Sequence, residues 1–314
     1  MTRIAALPAA RSYSSSTLLL LAGLSLVWGT NWPAIKFVLA DVPVLTFRAL
    51  CLWITGPTFL LLARLGGERI GIPRREWPAL LLASFCNVTL WYFGTGMGVS
   101  LIPAGRAALL AYTMPVWVAL FSVVLLRERL GMRRLFGLLL GMAGIGVLLA
   151  PDLAAFRAAP LGAGYVLLAA AGWAVGTVTM KAVRFSRSVA QMTGWQLIIG
   201  GFPIVLAALW HDPLPRLLSL PGETQLVLIY IIGLPMIFGQ WAWFKTLDRL
   251  PGTVAAISSL AVPIVGLLSS ALLLGEPLGR SEVTALILVV LALALVLFPP
   301  ARRPRDPLSV TARS

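Results

Sequence analysis

Two stretches decide the fold of this chain, PAGRAALLAYTMPVWVALFSVVLLRERLG (103–131) and PGTVAAISSLAVPIVGLLSSALLLGEPLG (251–279). A shift of 148 residues lays the first stretch on the second without a gap. Apolar residues match readily by accident, whereas proline, glutamate and glycine do not, and these recur in one register. The matched pairs are Pro103 and Pro251, Pro115 and Pro263, Glu128 and Glu276, and Gly131 and Gly279. The chain is therefore predicted to contain two copies of one unit.

The composition of the whole chain indicates a membrane protein. Of the 314 residues, 59% are hydrophobic and 11% are charged, and the mean hydropathy is +0.92. Soluble domains have roughly 25% charged residues and cannot bury this much apolar surface. A net charge of +14 would suggest nucleic acid as the partner of a soluble protein. Here the basic residues lie mainly in short loops between apolar runs, so no nucleic-acid partner is expected.

Apolar runs of about 20 residues are long enough to cross the hydrocarbon core of a bilayer. The sequence predicts ten such helices, and proline, glycine and charged residues separate them. They are expected near residues 17–38, 42–64, 77–97, 103–126, 133–150, 161–181, 188–210, 223–247, 251–274 and 281–298. The predicted fold class is an all-α integral membrane protein.

The charges of the loops predict the orientation of these helices. If the N-terminus is cytoplasmic, 19 of the 25 lysine and arginine residues fall on the cytoplasmic side and four fall outside. Basic residues concentrate in cytoplasmic loops, so both termini are predicted to be cytoplasmic, in a bacterial inner membrane. The predicted divisions are an N-terminal tail (1–16), a first repeat (17–151), a second repeat (160–299) and a C-terminal tail (300–314).

Each predicted repeat contains five helices, and this odd number determines how the two copies are related. A second copy of five helices enters the membrane from the opposite side, so the repeats are predicted to be inverted. Inverted repeats recur in secondary transporters, where the two halves rock about a site near the bilayer midplane. The sequence therefore favours transport by alternating access.

Three stretches resemble a known family. These are WGTNWPAIK (28–36), PAGRAALLAYTMPVW (103–117) and PGTVAAISSLAVP (251–263), and together they resemble the EamA-like branch of the drug/metabolite transporter superfamily. That superfamily includes exporters of amino acids, other metabolites and drugs. The resemblance implies a central cavity surrounded by helices 1–4 and 6–9, with helices 5 and 10 at the periphery.

Aromatic residues resemble one group within this superfamily, the exporters of aromatic amino acids. Trp91 and Tyr92 on the third predicted helix, with Tyr112 on the fourth, match aromatic positions of that group, while Met114 stands where another aromatic is expected. The resemblance implies that aromatic residues on helices 3, 4 and 6 line the cavity, and Trp173 lies on helix 6. Packing within the bundle is the alternative role for each of these side chains.

Uncharged polar residues at membrane depth are further candidates for substrate binding. Asn31, Asn87, Gln240 and Ser259 are in this class, and hydrogen bonds between helices are the alternative role for each. Pro115 and Pro263 occupy matching positions within two predicted helices. Because proline frees backbone groups inside a helix, both residues are predicted to be conformational hinges.

Charged residues near the predicted helix ends have two interpretations. Arg48 and Arg106 could extend towards the interface, or could meet a substrate carboxylate in an outer vestibule. Glu128 and Glu276 each precede a helix closely, so each carboxylate is predicted to face the positive end of the helix that follows.

The distribution of acidic residues argues against several functions. All 11 aspartate and glutamate residues fall in predicted loops or at helix ends, so a buried proton relay is not expected. No catalytic residues, metal site or cofactor are expected, and a membrane enzyme, a channel and a sensor are the weaker alternatives. The leading prediction is a uniporter that exports small organic solutes, above all amino acids. The alternative is an exporter of other metabolites or drugs coupled to protons, and a monomer or homodimer in the lipid bilayer is expected.

Overall fold

The computed structural model describes residues 15–126, 132–150, 160–183, 185–213, 219–243 and 252–297. Throughout these ranges the regular secondary structure is helical, and no strand occurs in them. The helices are α1 (Ser15–Val38), α2 (Val44–Leu65), α3 (Arg74–Leu101), α4 (Ala104–Ala111), α5 (Met114–Leu126), α6 (Met132–Leu149), α7 (Pro160–Ala182), α8 (Val189–His211), α9 (Gly222–Trp243), α10 (Gly252–Leu274) and α11 (Arg280–Leu297).

Five of the described helices are long and apolar enough to cross a membrane. These are α2, α3, α8, α9 and, over Pro160–Met180, α7. Prolines in an extended conformation immediately precede some of them, as Pro43 precedes α2 and Pro221 precedes α9. A proline fits this position because the first residues of a helix need no N–H donor. The part of the chain that the structure describes is therefore an all-helical bundle with the lengths expected of a membrane protein.

The predicted helix 103–126 is broken in the structure, which corrects the prediction of one continuous segment. Helix α4 ends at Ala111 and α5 begins at Met114. At the break the N–H of Thr113 donates to the carbonyl of Leu110 over 3.2 Å, a tighter turn than an α-helix makes. Pro115 has no N–H to donate to the carbonyl of Ala111, so the helical ladder is interrupted here.

Two π-helical turns, which the sequence analysis missed, occur inside α3 and α9. They cover Phe85–Leu90 and Ile232–Phe238. The shift of 148 residues places the first turn on the second, so the two turns occupy matching positions in the two halves. A π turn widens a helix locally and frequently marks a functional site.

The main contacts between helices join the first half of the chain to the second. They pair α2 with α8, α6 with α11, α1 with α10, and α3 with α7. Helices α2 and α8 run antiparallel. The hydroxyl of Thr46 at the start of α2 donates to Asp212 Oδ2 over 2.8 Å. Beyond the other end of α2, Glu68 Oε2 accepts from the hydroxyl of Ser188 over 2.8 Å.

Polar contacts outside the helices lie at these two ends of the bundle. We call the end with Thr46 and Asp212 the Asp212 end, and the end with Glu68 and Ser188 the Glu68 end. Asp41 accepts a hydrogen bond from Thr224 at the Asp212 end. At the Glu68 end, Glu76 accepts from the N–H of Ser186, and Arg187 donates to the carbonyl of Gly71. Among the described loops, those predicted to be outside lie at the Asp212 end, and those predicted to be cytoplasmic lie at the Glu68 end.

Candidate functional site

A cavity of about 230 Å³ lies between the two halves of the bundle. A water molecule takes up about 30 Å³ in the liquid, so the cavity has room for a small organic solute. Its lining comes from α1, α2, α3, α7, α9 and the break between α4 and α5. None of the described residues of α6, α8, α10 or α11 lines it, so the part of the cavity wall expected from helices 7 and 9 is absent from the described residues.

Six of the eight residues predicted to bind the substrate line this cavity. They are Asn31, Trp91, Tyr92, Tyr112, Trp173 and Gln240. The structure thus brings residues from both halves to one place, although their separation in sequence reaches more than 200 positions. Contact of each with a substrate stays a prediction.

Asn87 has a different place in the structure. Its Nδ2 donates to Gln196 Oε1 over 3.0 Å, and it packs on Gly176, so it joins α3 to helices α7 and α8. Asn87 is not among the residues that line the cavity. For this residue, the alternative of a hydrogen bond between helices agrees with the structure.

Several residues singled out in the sequence lie outside what the structure describes. Ser259 and Pro115 belong to helices α10 and α5, but their side chains are not described, and Glu128 falls outside the described residues altogether. Pro263 is buried within α10, which continues through it. The roles predicted for Ser259 and for the two prolines stay predictions.

Aromatic rings form much of the cavity wall. Trp91 packs on Trp173 with ring centroids 4.9 Å apart, and Trp28 packs on Trp243 with centroids 5.7 Å apart. Each pair joins a helix of one half to a helix of the other. Such walls suit a solute with an apolar part, because aromatic side chains bury large areas with little loss of conformational freedom.

The two π turns position this wall. Trp91 and Tyr92 directly follow the π turn of α3, and Gln240 follows the π turn of α9 at the position that matches Tyr92. Within the second turn, the carbonyl of Pro235 accepts a hydrogen bond from Trp28 Nε1 over 3.2 Å. The backbone distortion therefore supplies the acceptor that fixes one of the tryptophans.

Among the described residues, Arg48 is the one charged residue that lines the cavity. Its side chain is only 3% exposed, and Nη2 donates to Thr95 Oγ1 over 3.0 Å. The guanidinium carbon lies 5.0 Å from the ring centre of Phe47 and 5.5 Å from that of Tyr92. Of its two proposed roles, extension towards the interface is wrong, because the side chain is buried in the protein.

Arg106 has neither of the roles considered from the sequence. Its Nη2 lies 2.7 Å from Glu282 Oε1 and Nε donates to the same oxygen over 2.8 Å, so the charge is neutralised by α11. Arg106 is not among the residues that line the cavity. Both arginines lie near predicted helix ends, but Arg48 lines the cavity and Arg106 forms an ion pair with Glu282.

Glu276 caps a helix, but not the one predicted. Its Oε1 accepts from the N–H of Ala104 over 2.7 Å, and its Oε2 accepts from the N–H of Gly105 over 2.9 Å. These are the free N–H groups at the start of α4, so the capped helix belongs to the other half of the chain. The expectation that Glu276 faces the helix that follows it is wrong.

Lys36 joins α1 to the end of α3 at the Asp212 end of the bundle. The Nζ of Lys36 donates to the carbonyls of Val99 and Ile102 over 2.7 and 3.2 Å, at the C-terminal end of α3. Cations stabilise this end of a helix dipole. Val38 and Val99 are fully buried beside this contact.

Other cavity residues were missed by the sequence analysis. They are Trp28, Trp32, Ile35, Thr95, Pro235, Met236 and Trp243, together with Arg48 and Met114, which had been noted but not assigned to the site. Trp28, Trp32 and Ile35 recur at helical spacing within the WGTNWPAIK stretch, together with Asn31. That spacing is the signal from which one face of α1 could have been assigned to the cavity.

Comparison with known proteins identifies related chains. The model of the EamA-like transporter family matches residues 15–150 and 160–298. The chain is 28% identical over 281 residues to "Uncharacterized transporter YvbV" of Bacillus subtilis (strain 168), covering 89% of this chain and 91% of the relative. It is 28% identical over 283 residues to a "Probable amino-acid metabolite efflux pump" of Escherichia coli (strain K12), covering 87% and 91%.

A solved crystal structure has the same fold. It matches with a TM-score of 0.63 and 22% sequence identity, covering 90% of this chain and 96% of the other. The similarity therefore extends over nearly the whole chain and includes both halves.

Proposed function

The chain belongs to the EamA-like transporter family, and from this premise we propose that it exports small organic solutes across the bacterial inner membrane. Amino acids are the leading candidates. The cavity carries this proposal, because it combines aromatic walls with one buried cation and the amides of Asn31 and Gln240. Such a lining suits a zwitterionic or amphipathic solute better than a bare ion. The Escherichia coli relative, named as a probable amino-acid metabolite efflux pump, points the same way.

The proposed architecture is ten transmembrane helices in two inverted repeats, 17–151 and 160–299, with both termini cytoplasmic. The antiparallel packing of α2 on α8 supports the inversion. These helices are counterparts in the two halves, and an axis in the membrane plane reverses the direction of one relative to the other. The matched π turns of α3 and α9 support the same relation.

The proposed mechanism is alternating access. Contacts of Lys36 and Glu276 join helices at the Asp212 end, which corresponds to the outer side in the predicted topology. These contacts join α1 to α3 and α4 to the loop before α11, so opening this end requires that they separate. Pro115 and Pro263 are the proposed hinges.

Uniport is the proposed mode of transport, since none of the described residues that line the cavity is acidic or a histidine. A proton-coupled transporter needs a group at the site that gains and loses a proton during the cycle. Arg48 remains protonated at all physiological pH values. Transport should therefore follow the solute gradient without a requirement for a pH gradient.

The test is efflux of labelled amino acids from liposomes that contain the purified protein. We expect saturable efflux of L-phenylalanine or another apolar amino acid, with equal rates in the presence and absence of a pH gradient. Tyr92→Ala should slow efflux, whereas Trp53→Ala, which alters an exposed tryptophan on α2, should not. If no amino acid leaves the liposomes but a cationic drug does so under a pH gradient, the alternative function replaces this one.

A further inference from the structure

Resting on the proposed export of small solutes, we propose that Arg48 binds the carboxylate of the solute and Asn31 binds its ammonium group. The cavity would then select amino acids as zwitterions rather than amines, amides or simple carboxylic acids. Arg48 and Asn31 would be the residues that determine specificity, while the aromatic walls accept the side chain.

The first observation is an incomplete set of hydrogen bonds at Arg48. Its Nη2 donates to Thr95, but its Nε is buried and has no hydrogen-bond partner. Among the described residues, no carboxylate lies within ion-pairing distance of Arg48. A buried cation without an anion is strongly unfavourable, because the protein replaces the water that would solvate the charge. A solute carboxylate in the cavity would supply both the missing charge and the missing acceptor.

The surroundings of Arg48 favour a planar anion. Thr95 holds one nitrogen, and the rings of Phe47 and Tyr92 lie beside the guanidinium group. Gly96 admits the Arg48 side chain, because a Cβ at this position would lie 3.0 Å from Nε. The fork of an arginine matches the two oxygens of a carboxylate, and charge-assisted hydrogen bonds of this kind are roughly twice as strong as neutral ones.

The second observation is an acceptor without a donor on the same cavity. Asn31 Oδ1 is buried and has no hydrogen-bond partner. An ammonium group supplies N–H donors for this oxygen. The ring faces of Trp28 and Trp243, which also line the cavity, attract cations through their negative potential. An unsatisfied donor at Arg48 and an unsatisfied acceptor at Asn31 together match the two charged groups of an amino acid.

The first experiment varies the solute and leaves the protein unchanged. Binding to purified protein is followed by tryptophan fluorescence, and transport is followed in liposomes. The solutes are L-phenylalanine, L-phenylalaninamide, phenethylamine and 3-phenylpropionate. We expect L-phenylalanine to bind about 10- to 100-fold more tightly than the others, because each of them loses one charged group. Equal binding of phenethylamine and L-phenylalanine would overturn the role of Arg48.

The second experiment varies Arg48. In Arg48→Gln, the preference for L-phenylalanine over phenethylamine should disappear, while Arg48→Lys should keep part of it through the charge alone. Arg64→Gln is the matched control, because Arg64 lies on the same helix, is exposed and is outside the cavity. An unchanged preference in folded Arg48→Gln would contradict the proposal. If Arg48→Gln does not fold, the solute series on the unchanged protein decides.

Asn31 is tested by Asn31→Ala, in which the preference for L-phenylalanine over 3-phenylpropionate should fall while that over phenethylamine remains. Loss of both preferences together would contradict the division of roles. The two readouts separate this inference from the proposed function. Transport of L-phenylalanine without discrimination overturns the inference alone. Discriminating binding without transport overturns the proposed function alone.

Discussion

The segments 103–126 and 251–274 have matching prolines but different backbones. The first consists of α4 and α5, with a break at Tyr112 and Thr113 that opens onto the cavity. The second is the single helix α10, which continues through Pro263. A proline in a matching position therefore permits a break without requiring one.

The two segments also differ at a close contact between helices. Helix α10 lies close against α1, where Gly266 faces Gly29 and Trp32. The residue that matches Gly266 in the first segment is Val118. Helix α5 packs on α7, the counterpart of α1, so the two segments have matching partners but different side chains at this position. Gly266 therefore allows the backbone of α10 to lie close to α1.

The largest effect is expected from Gly266→Val, which gives the second segment the residue of the first. A Cβ at this position would lie 3.1 Å from the Cβ of Ala108 and 3.3 Å from Trp32 Cδ1. The added methyl groups would overpack three helices and lower the free energy of unfolding by about 3 kcal/mol. Thermal unfolding in detergent measures this loss. The reverse change, Val118→Gly, should cost only about 1 kcal/mol, and equal losses would contradict the comparison.

A smaller effect is expected from Glu276→Ala, which removes the cap that the second half places on α4. Loss of two hydrogen bonds to a carboxylate should lower the free energy of unfolding by about 2 kcal/mol. Glu276→Gln should lose less, since one oxygen remains as an acceptor. Glu223→Gln is the control because Glu223 is exposed. Glu128→Gln tests the matching position, and a loss equal to that of Glu276→Gln would show that both segments depend on their glutamates alike.

Tyr112→Leu places at the break the residue found at the matching position, Leu260. Tyr112 lines the cavity and is 7% exposed, so its replacement removes an aromatic contact for the solute. We expect kcat/KM for amino-acid transport to fall about tenfold, with little change in thermal stability. The control is Leu268→Ala on the exposed face of α10. If Tyr112→Leu transports amino acids as well as the unchanged protein, Tyr112 at the break does not contribute to substrate binding.

The smallest effect is expected from Thr113→Val. The Thr113 hydroxyl donates to the carbonyl of Leu110 over 2.6 Å and accepts from Trp117 Nε1 over 3.3 Å. The matching residue, Ala261, has no hydroxyl, and α10 is unbroken there. Thr113→Val should lower the free energy of unfolding by about 1 kcal/mol. Thr58→Val, at an exposed hydroxyl of α2, should change it by less than about 0.5 kcal/mol.

Much of the helical organisation could be predicted from local sequence. The prolines before α2, α4 and α9 mark helix starts, and the apolar runs between them give helix lengths close to those observed. The family resemblance, which rests on short motifs in both halves, is confirmed by the match of the family model. Helix length, apolar character and motif spacing belong to the chain itself, so they are visible without its neighbours.

The site was predictable only in part. Trp91, Tyr92 and Tyr112 could be assigned to one place because the resemblance supplied their positions. Burial of Arg48 could not be predicted, since an arginine near a helix end can extend to the interface or turn inward. The positions of two residues on α3 decide between these two orientations. Thr95 accepts a hydrogen bond from Arg48, and Gly96 leaves room for its side chain.

By itself, the sequence determined that the chain is helical, strongly apolar and built on two related units, because composition and repeats are properties of the chain alone. The tertiary structure decided whether matching elements of the two halves have the same backbone conformation and the same contacts. It broke the helix before Pro115, kept α10 continuous through Pro263, and placed Glu276 on the start of α4. The contact of Glu276 joins groups about 170 positions apart in the sequence, so it forms only when the bundle packs.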